Sequence, residues 1–498
     1  MVCTLFLGLI LLILSFFLLK LIMNQAKIPF KSALTPIIFL IVLVLYGLIL
    51  RPQFLGQDAL PLEITFILAA IITIIQLVWM GHSWIEIQKS IVKKLASAMP
   101  AWFIIFSIGI LISSWIVSGT IPMLVYYGIK IIHPSYIYFF AFIVPIIFST
   151  MTGTSWGSVG TVGIVIVGIA TVLGANLGIT VGAIVGGAFF GDKMTPLSDT
   201  TNIAAMATGV DLYDHIHSMT YTTFPSALIA AIIYVVLGFI YPPLSQNLET
   251  LSTLAFLNGL QSIFTFNILL VIPPLVVLIG SLKRMPTLPV MFISIGSASF
   301  LALAIQPFSL EQIIASLHKG FHTDMAPWAT SLPLEVMELV NRGGLYYLAE
   351  AVITAMIIFI FIGAMDHINA MPIVIDKVFR FAQSRSATIL STLVATAFTN
   401  AITSNQYATT FIVGDAFKTK FDQLKIHRKV LSRSLEDTGT MLESIVPWTP
   451  TALFIVMTLG VPVSEYWHWQ FLSLINFMIA PALAITGIGC FYNEKNSL

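Results

Sequence analysis

Acidic side chains in this sequence interrupt otherwise apolar segments, which points to the binding of a cation or a proton. The first such segment runs from Gly191 to Asn202 and reads GDKMTPLSDTTN. It contains the carboxylates of Asp192 and Asp199, and Pro196 between them breaks a helix and frees backbone carbonyls. Because a charge at the centre of a membrane span costs about 2.5–3.5 kcal/mol, acids in such positions are expected to be functional.

A second acidic segment lies closer to the C-terminus. It reads SLEDTGTMLESIVPWTP at 434–450 and again mixes acids, hydroxyls, a glycine and prolines. Glu436 or Asp437 has an alternative partner in the nearby Arg433. Glu443 lies deeper in the apolar segment and is therefore the better candidate for a site.

Two polar turns divide long apolar stretches. The first reads TMTGTSWGSVGT at 150–161, and the second reads TNAITSNQY at 399–407. Hydroxyl and carbonyl oxygens are hard, uncharged ligands that suit a small hard cation. A turn at membrane depth must face protein or a wet cavity, so we expect each to be the tip of a re-entrant hairpin.

Together these four segments supply the candidate ion-binding residues. The main candidates are Asp199, Asp192, Glu443, Thr154, Ser155, Ser198, Thr200, Asn202, Ser404, Asn405 and Asp437. The further candidates are Lys193, Glu436, Thr152 and Gln406.

Structural explanations compete with some of these assignments. Asp192 could simply form a neutral pair with Lys193 or with a charge on another helix. The glycine pairs Gly182/Gly186 and Gly187/Gly191 have the spacing of a helix-packing face.

The segment from Gly153 to Gly157 also matches the G-x-S-x-G pattern of hydrolases. That pattern needs a strand–turn–helix context and a nearby histidine base. Neither is expected around Ser155, so we predict that the chain is not an enzyme.

The composition places these segments in a membrane. Of 498 residues, 58% are hydrophobic and only 9% are charged, whereas soluble domains are about 25% charged. This excludes a soluble enzyme, a nucleic-acid-binding protein and a disordered scaffold. The net charge of +1 predicts no polyanionic partner, and two cysteines near opposite ends cannot form a disulfide framework or a zinc cluster.

We therefore predict an all-α polytopic membrane protein with about 11 transmembrane helices and two re-entrant hairpins. Nine spans are uninterrupted apolar runs, at 3–23, 34–50, 64–80, 100–118, 219–240, 265–280, 287–306, 348–365 and 467–489. Residues 84–97 are expected to form a helix on the membrane surface. Two hairpins, at 136–173 and 386–417, are each followed by a broken helix, at 178–209 and 428–460.

The distribution of positive charge sets the orientation, because cytoplasmic loops are rich in Lys and Arg. With the N-terminus outside and the C-terminus cytoplasmic, most of the 23 Lys and Arg residues fall on the cytoplasmic side. They cluster at 20–31, 89–94, 283–284, 377–385 and 418–433. We predict a multi-pass protein of the inner (plasma) membrane, in contact with lipid and not with nucleic acid, and leave a homodimer open.

The two interrupted regions look like an internal repeat. Pro122 lines up with Pro372, and Phe148 with Phe398. An odd number of spans separates the regions, which makes them inverted repeats with discontinuous helices, as secondary transporters have. The predicted divisions are N-terminal helices at 1–80, a first repeat at 81–241, connecting helices at 242–306, a second repeat at 307–490 and a cytoplasmic tail at 491–498.

Four segments resemble the NhaC-type Na⁺/H⁺ antiporter family, part of a broader ion-transporter superfamily. They read TMTGTSWGSVGTVG at 150–163, GGAFFGDKMTPLSDTTNIAA at 186–205, TSNQYATTFIVGDAF at 403–417 and LSRSLEDTGTMLESIVPW at 431–448. The resemblance extends from about residue 80 to the C-terminal end. The second tip has Ser404-Asn405-Gln406, where many members have Ser-Asp-Gln, so one acid is missing there.

The resemblance implies secondary exchange of Na⁺ for H⁺ by alternating access, and a role in pH homeostasis. Asp199 would bind Na⁺, with hydroxyl and backbone oxygens, when it is ionised and a proton when it is not. Some members exchange malate and lactate, so a Na⁺/H⁺-coupled carboxylate exchanger is the alternative, with Lys193 or Asn405 as anchor. Li⁺ is a further candidate substrate, and no cofactor is expected.

Overall fold

The described chain consists of helices connected by short turns. A computed structural model of the protein describes residues 28–244, 251–283, 285–379 and 382–492. Nine of the described helices are long and apolar enough to cross a membrane, or up to eleven if two bent pairs each count as one span. This confirms the predicted all-α polytopic class. The span predicted at 3–23 and most of the tail at 491–498 lie outside the described residues.

The helices vary widely in length, from single turns to a helix of 34 residues. In the first half they are Phe30–Phe54, Leu62–Trp79, Trp84–Val117, Thr120–Ile131, Ile137–Thr152, Ser155–Leu173, Leu177–Lys193, Asp199–Thr208 and Leu212–Ile240. In the second half they are Leu251–Ile263, Ile268–Leu282, Thr287–Ile305, Leu310–Lys319, Leu334–Val340, Ala349–Asp366, Ala370–Val378, Arg385–Thr403, Gln406–Gln423, Arg428–Leu435, Glu436–Thr440, Met441–Glu443, Pro450–Leu459, Val463–Trp469 and Phe471–Thr486.

Contacts divide the described chain into two compact units. The first comprises the described parts of 1–98 and 356–381, and the second comprises those of 99–355 and 382–498. The expectation of a separate surface helix at 84–97 is wrong, because Trp84–Val117 is continuous. Every predicted ion-binding residue lies in the second unit.

One stretch of each predicted repeat, 119–209 in the first and 369–460 in the second, shows the same order of helix ends. Residues with a left-handed backbone occur at corresponding positions, as Gly119 and Asn369, Gly153 and Ser404, Gly174 and Lys425, and Gly209 and Gly460. Side chains that cap helix N-termini correspond as Thr154 and Asn405, Asn176 and His427, and Ser198 and Thr449. Left-handed residues commonly end helices and capping side chains begin them, so the order of helices is the same in both stretches. That the repeats are inverted across the membrane remains a prediction.

Four of these elements position the candidate site and are named here. The first hairpin is Ile137–Thr152 with Ser155–Leu173, and the second hairpin is Arg385–Thr403 with Gln406–Gln423. The first broken helix is Leu177–Lys193 with Asp199–Thr208. The second broken helix runs from Arg428–Leu435 through a π-helical turn, Glu436–Thr440, to Met441–Glu443 and resumes at Pro450–Leu459.

Glycines let the first broken helix lie directly against the first hairpin. A Cβ atom added to Gly187 would collide with the carbonyl oxygen of Phe142, and one added to Gly191 would collide with the backbone nitrogen of Thr150. The prediction that this glycine pair forms a packing face is therefore confirmed. This close approach brings Asp192, the residue after Gly191, to the tip of the first hairpin.

The close approach predicts that Gly187→Ala destabilises the protein. Overpacking a tight contact costs about 1–3 kcal/mol, so the thermal unfolding midpoint of the detergent-solubilised chain should fall. The matched control is Gly296→Ala on helix Thr287–Ile305, where an added Cβ meets no atom within 4 Å. Alanine favours a helix over glycine by about 1 kcal/mol, so this control should not lower the midpoint; equal losses in both variants would contradict the packing argument.

Candidate ion-binding site

The buried acid Asp192 lies where the first hairpin meets the gap in the first broken helix. Ser155 Oγ donates to Asp192 Oδ2 at 2.7 Å, whereas Oδ1 is buried and has no hydrogen-bond donor. Ser155 starts the second arm of the hairpin, directly after Gly153 and Thr154. A Cβ on Gly153, which has a φ of 71°, would collide with Leu197 in the gap. The tip therefore lies directly against the helix break.

Glu443 holds the corresponding position in the second repeat. The backbone N–H of Gln406 donates to Glu443 Oε1 at 3.0 Å, and Thr451 Oγ1 donates to Oε2 at 3.1 Å. Gln406 starts the second arm of its hairpin, after the left-handed Ser404 and the cap residue Asn405. In both repeats, the first residue after the hairpin tip thus binds the acid that precedes the helix break.

Asp199 occupies a different environment from the one expected. The prediction of a buried acid at this position is wrong, because Asp199 is exposed. It is the first residue of the helix after the break, where the positive end of the helix dipole favours an anion. The backbone N–H of Thr200 donates to Oδ1 at 2.9 Å, and the hydroxyl of Tyr407 donates to Oδ2. Tyr407 lies on the second hairpin, so this bond links the two repeats.

A buried ionic cluster joins the two broken helices. Lys193 Nζ lies 3.1 Å from Asp437 Oδ1, and these side chains are 0% and 1% exposed. Arg433 Nε lies 3.8 Å from Asp437 Oδ2, which confirms the pairing considered between Arg433 and one of the acids after it. Thr222 Oγ1 at 2.9 Å and Asn476 Nδ2 at 3.2 Å also donate to Oδ1. Asp437 is thus largely compensated by protein groups.

Two other buried acids have no cationic partner in the described part of the chain. The alternative pair of Asp192 with Lys193 does not form, because Lys193 binds Asp437 instead. Glu436 accepts from Thr440 Oγ1 at 2.6 Å through Oε2, and its buried Oε1 has no donor. An ionised carboxylate in such a position is strongly destabilised unless a cation compensates it.

Several predicted oxygen ligands serve helix ends instead of pointing at a common centre. Thr154 accepts from Gly157 N at 3.2 Å, Ser198 from Thr201 N at 3.4 Å and Asn405 from Ala408 N at 2.8 Å. Thr152, Thr200 and Asn202 bond within their own segments, to Phe148 O, Ser198 Oγ and Pro196 O. Ser404 Oγ is buried and has no partner. The structure thus pairs Asp192 with Ser155 and Glu443 with Gln406, whereas most of the other predicted oxygen ligands form hydrogen bonds within their own segments.

Some residues of the site were not predicted. Tyr407, Asn476 and Thr222 contact the acids directly. Asn476 carried a signal, since it is an amide well inside the apolar span predicted at 467–489. Thr222 carried no such signal, because a threonine hydroxyl commonly bonds to a carbonyl of its own helix. Its hydrogen bond to Asp437 becomes visible only when the helices are packed together.

Comparison with known proteins identifies the family. A family model described as the Na⁺/H⁺ antiporter family matches residues 187–488. An uncharacterised Na⁺/H⁺ antiporter of Haemophilus influenzae is 38% identical over 92% of this chain and 96% of its own. The chain belongs to the Na⁺/H⁺ antiporter family. The matched range includes the first broken helix from Gly187 onward, the second hairpin and the second broken helix, so it contains all five acids discussed above.

Two further members differ in the substrates that their names give. The Na⁺/H⁺ antiporter NhaC of Alkalihalophilus pseudofirmus is 31% identical over 92% of this chain and 97% of its own. The malate-2H⁺/Na⁺-lactate antiporter of Bacillus subtilis is 30% identical over 94% of this chain and 98% of its own. The resemblance to NhaC-type antiporters is confirmed, and together with the apolar helices of the described residues it shows that the chain is a multi-pass membrane transporter.

The ionic cluster predicts a large stability loss when one partner is removed. Lys193→Met leaves Asp437 short of a counter-charge, and breaking a buried pair costs about 3–5 kcal/mol. The yield and thermal midpoint of the purified chain should fall well below those of the exposed control Lys89→Met. Combining Lys193→Met with Asp437→Asn should cost less than the two single losses together. A Lys193→Met variant as stable as its control would show that the cluster does not stabilise the fold.

Proposed function

We propose that the chain is a secondary active transporter that exchanges Na⁺ for H⁺ by alternating access, with both ions competing for carboxylates at the broken helices. The observation that carries this proposal is the pair of buried acids, Asp192 and Glu436, each with an oxygen that no donor contacts and, unlike Asp437, with no cationic partner in the described residues. A buried carboxylate needs a proton or a cation for compensation. Because either one satisfies the same charge, binding of one excludes the other.

Asp192 and Asp199 have complementary positions for such a competition. Asp199 is exposed and lies seven residues beyond the buried Asp192, across the break at Pro196. Asp199 is thus placed to receive Na⁺ from solution, and Asp192 Oδ1 is placed to hold it or a proton in the interior. Carboxylate, hydroxyl and carbonyl oxygens are suitable donors for Na⁺ or Li⁺.

Glu443 occupies the position in the second repeat that Asp192 occupies in the first. Glu443 is partly exposed and bonds to the second hairpin through Gln406 N. Its equivalence to Asp192 suggests that both repeats contribute to the exchange site, as transporters with internal repeats do. No cofactor enters this mechanism, and the gradient of one ion drives the movement of the other.

The carboxylate-exchange alternative lacks a free anchor at the residues considered for it. Lys193 is already bound to Asp437, and the side chain of Asn405 caps its own helix. A substrate carboxylate would have to displace one of these partners. Na⁺/H⁺ exchange requires no such displacement and is therefore the better-supported function.

The competition predicts that Asp192→Asn and Asp199→Asn abolish or strongly reduce proton movement driven by Na⁺. A lost charge-assisted contact is worth about 1.5–3 kcal/mol, or roughly tenfold or more in rate. Glu443→Gln should raise the Na⁺ concentration needed for half-maximal exchange. The measurement is dequenching of a pH dye in vesicles containing the purified chain, after addition of Na⁺, Li⁺, K⁺, malate or lactate in turn.

The matched control is Asp324→Asn, because this acid is 88% exposed and lies far along the chain from both breaks. It should exchange like the unaltered chain. In that chain, lowering the pH should raise the Na⁺ concentration for half-maximal rate, since protons occupy the same acids. Normal exchange by Asp192→Asn would overturn the assignment, and dequenching only with malate or lactate would establish the carboxylate alternative.

We also propose that the chain lies in the inner membrane with its N-terminus outside and its C-terminus cytoplasmic. The charge distribution supports this orientation. The homodimer stays a prediction.

Cysteine labelling tests the orientation. In a chain carrying Cys3→Ser and Cys490→Ser, Lys319→Cys should react with an impermeant maleimide added to intact cells. Gln423→Cys should react only after the membrane is opened. Both positions are exposed, so the reverse pattern of labelling would mean that the orientation is inverted.

A further inference from the structure

Three metal-ligating side chains that are not part of the proposed exchange site meet in the first unit. They are His82, Glu86 and His367, and they form the one group of three or more such side chains found among the described residues. His82 lies in the turn before helix Trp84–Val117, Glu86 lies in the first turn of that helix, and His367 directly follows helix Ala349–Asp366. Residues far apart in the sequence thus bring their donor atoms to one point.

We propose that His82, Glu86 and His367 bind a divalent transition-metal ion of the Zn²⁺ type. Nδ1 of His82 and Nε2 of His367 are 3.1 Å apart. Two nitrogens that each lie 2.0–2.1 Å from one tetrahedral Zn²⁺ are separated by about 3.3 Å. One ring nitrogen of each histidine and one carboxylate oxygen of Glu86 all lie within 4.8 Å of one another. Two imidazoles and one carboxylate form a known zinc ligand set, with a fourth position for water.

Hydrogen bonds around the group hold the ligands in binding orientations. Nδ1 of His367 lies 2.9 Å from Ser90 Oγ. A proton on Nδ1 that is donated to Ser90 leaves the lone pair of Nε2 directed at the metal, as in most metal-binding histidines. Ser83 donates to Glu86 Oε2 through its backbone N–H at 3.0 Å and its hydroxyl at 2.8 Å. Both bonds to this carboxylate reach the same oxygen, which leaves Oε1 for an ion.

The same contacts have an explanation without an ion. Two neutral imidazoles share a hydrogen bond at this distance, and Ser83 with Glu86 caps the helix that follows. Under that explanation the group has no affinity for metal beyond that of scattered surface histidines. Metal titration therefore separates the two explanations.

A bound ion would connect the start of one apolar helix to the end of another within the first unit. A ligand that binds the folded state but not the unfolded state stabilises the folded state. Zn²⁺ is thus expected to raise the thermal midpoint of the chain, and the predicted orientation places this site on the cytoplasmic side.

The test uses the full chain, purified through a tag without histidines and treated with a chelator. Zn²⁺ is titrated by calorimetry, and Co²⁺ by its visible absorption, which reports tetrahedral nitrogen and oxygen ligands. The expected result is one ion per chain, with binding lost in His82→Gln and His367→Gln. Ser90→Ala should weaken binding about 10–100-fold, because it removes the partner that orients His367.

The matched control is His318→Gln, since His318 is exposed and stacks edge-on against Tyr346. It should bind Zn²⁺ like the unaltered chain and show the same rise in thermal midpoint. Because the three ligands lie outside the exchange site, His82→Gln should retain Na⁺-driven proton movement, which also shows that the variant is folded. Absence of stoichiometric binding, or equal loss in His318→Gln, would overturn the proposal.

Discussion

The contact between each hairpin tip and the acid before the adjacent helix break is the interaction on which the site depends. A helix that stops inside an apolar region exposes backbone groups that lipid cannot satisfy. The tip fills that gap, and its first helical residue donates to the acid, as Ser155 does to Asp192 and Gln406 to Glu443. Both repeats therefore satisfy the polar groups at a helix break in the same way, with the tip of a hairpin.

Charge compensation then separates the acids into two classes. Asp437 is paired with Lys193 and Arg433 and joins the two broken helices. Asp192 and Glu436 lack such partners in the described chain and each keep an uncontacted oxygen. Lys193 and Arg433 thus stabilise the arrangement, whereas the uncompensated acids are left for ions that arrive from solution. This division explains how one small region contains several buried charges without all of them being transport ligands.

Each hairpin also contacts the broken helix of the other repeat. Tyr407 of the second hairpin donates to Asp199 of the first broken helix. Trp156 of the first hairpin stacks on Phe454 of the second broken helix, with ring centroids 4.9 Å apart and planes 15° apart. Trp156 and Tyr407 each follow directly after the first residue of the second hairpin arm. In an alternating-access transporter, relative movement of the repeats would have to change these aromatic contacts.

The sequence by itself determined the membrane class, the broken helices and the segments that carry the acids. Apolar length, proline and glycine positions and the cost of a membrane charge are local properties, so they are visible along the chain. Only the tertiary structure decided that Lys193 pairs with Asp437 instead of Asp192, that Asp199 is exposed, and that Tyr407, Thr222 and Asn476 contact acids. The reason is that ion pairing and burial depend on which helices pack together, and residues such as Lys193 and Asp437 come close only through contacts between distant segments.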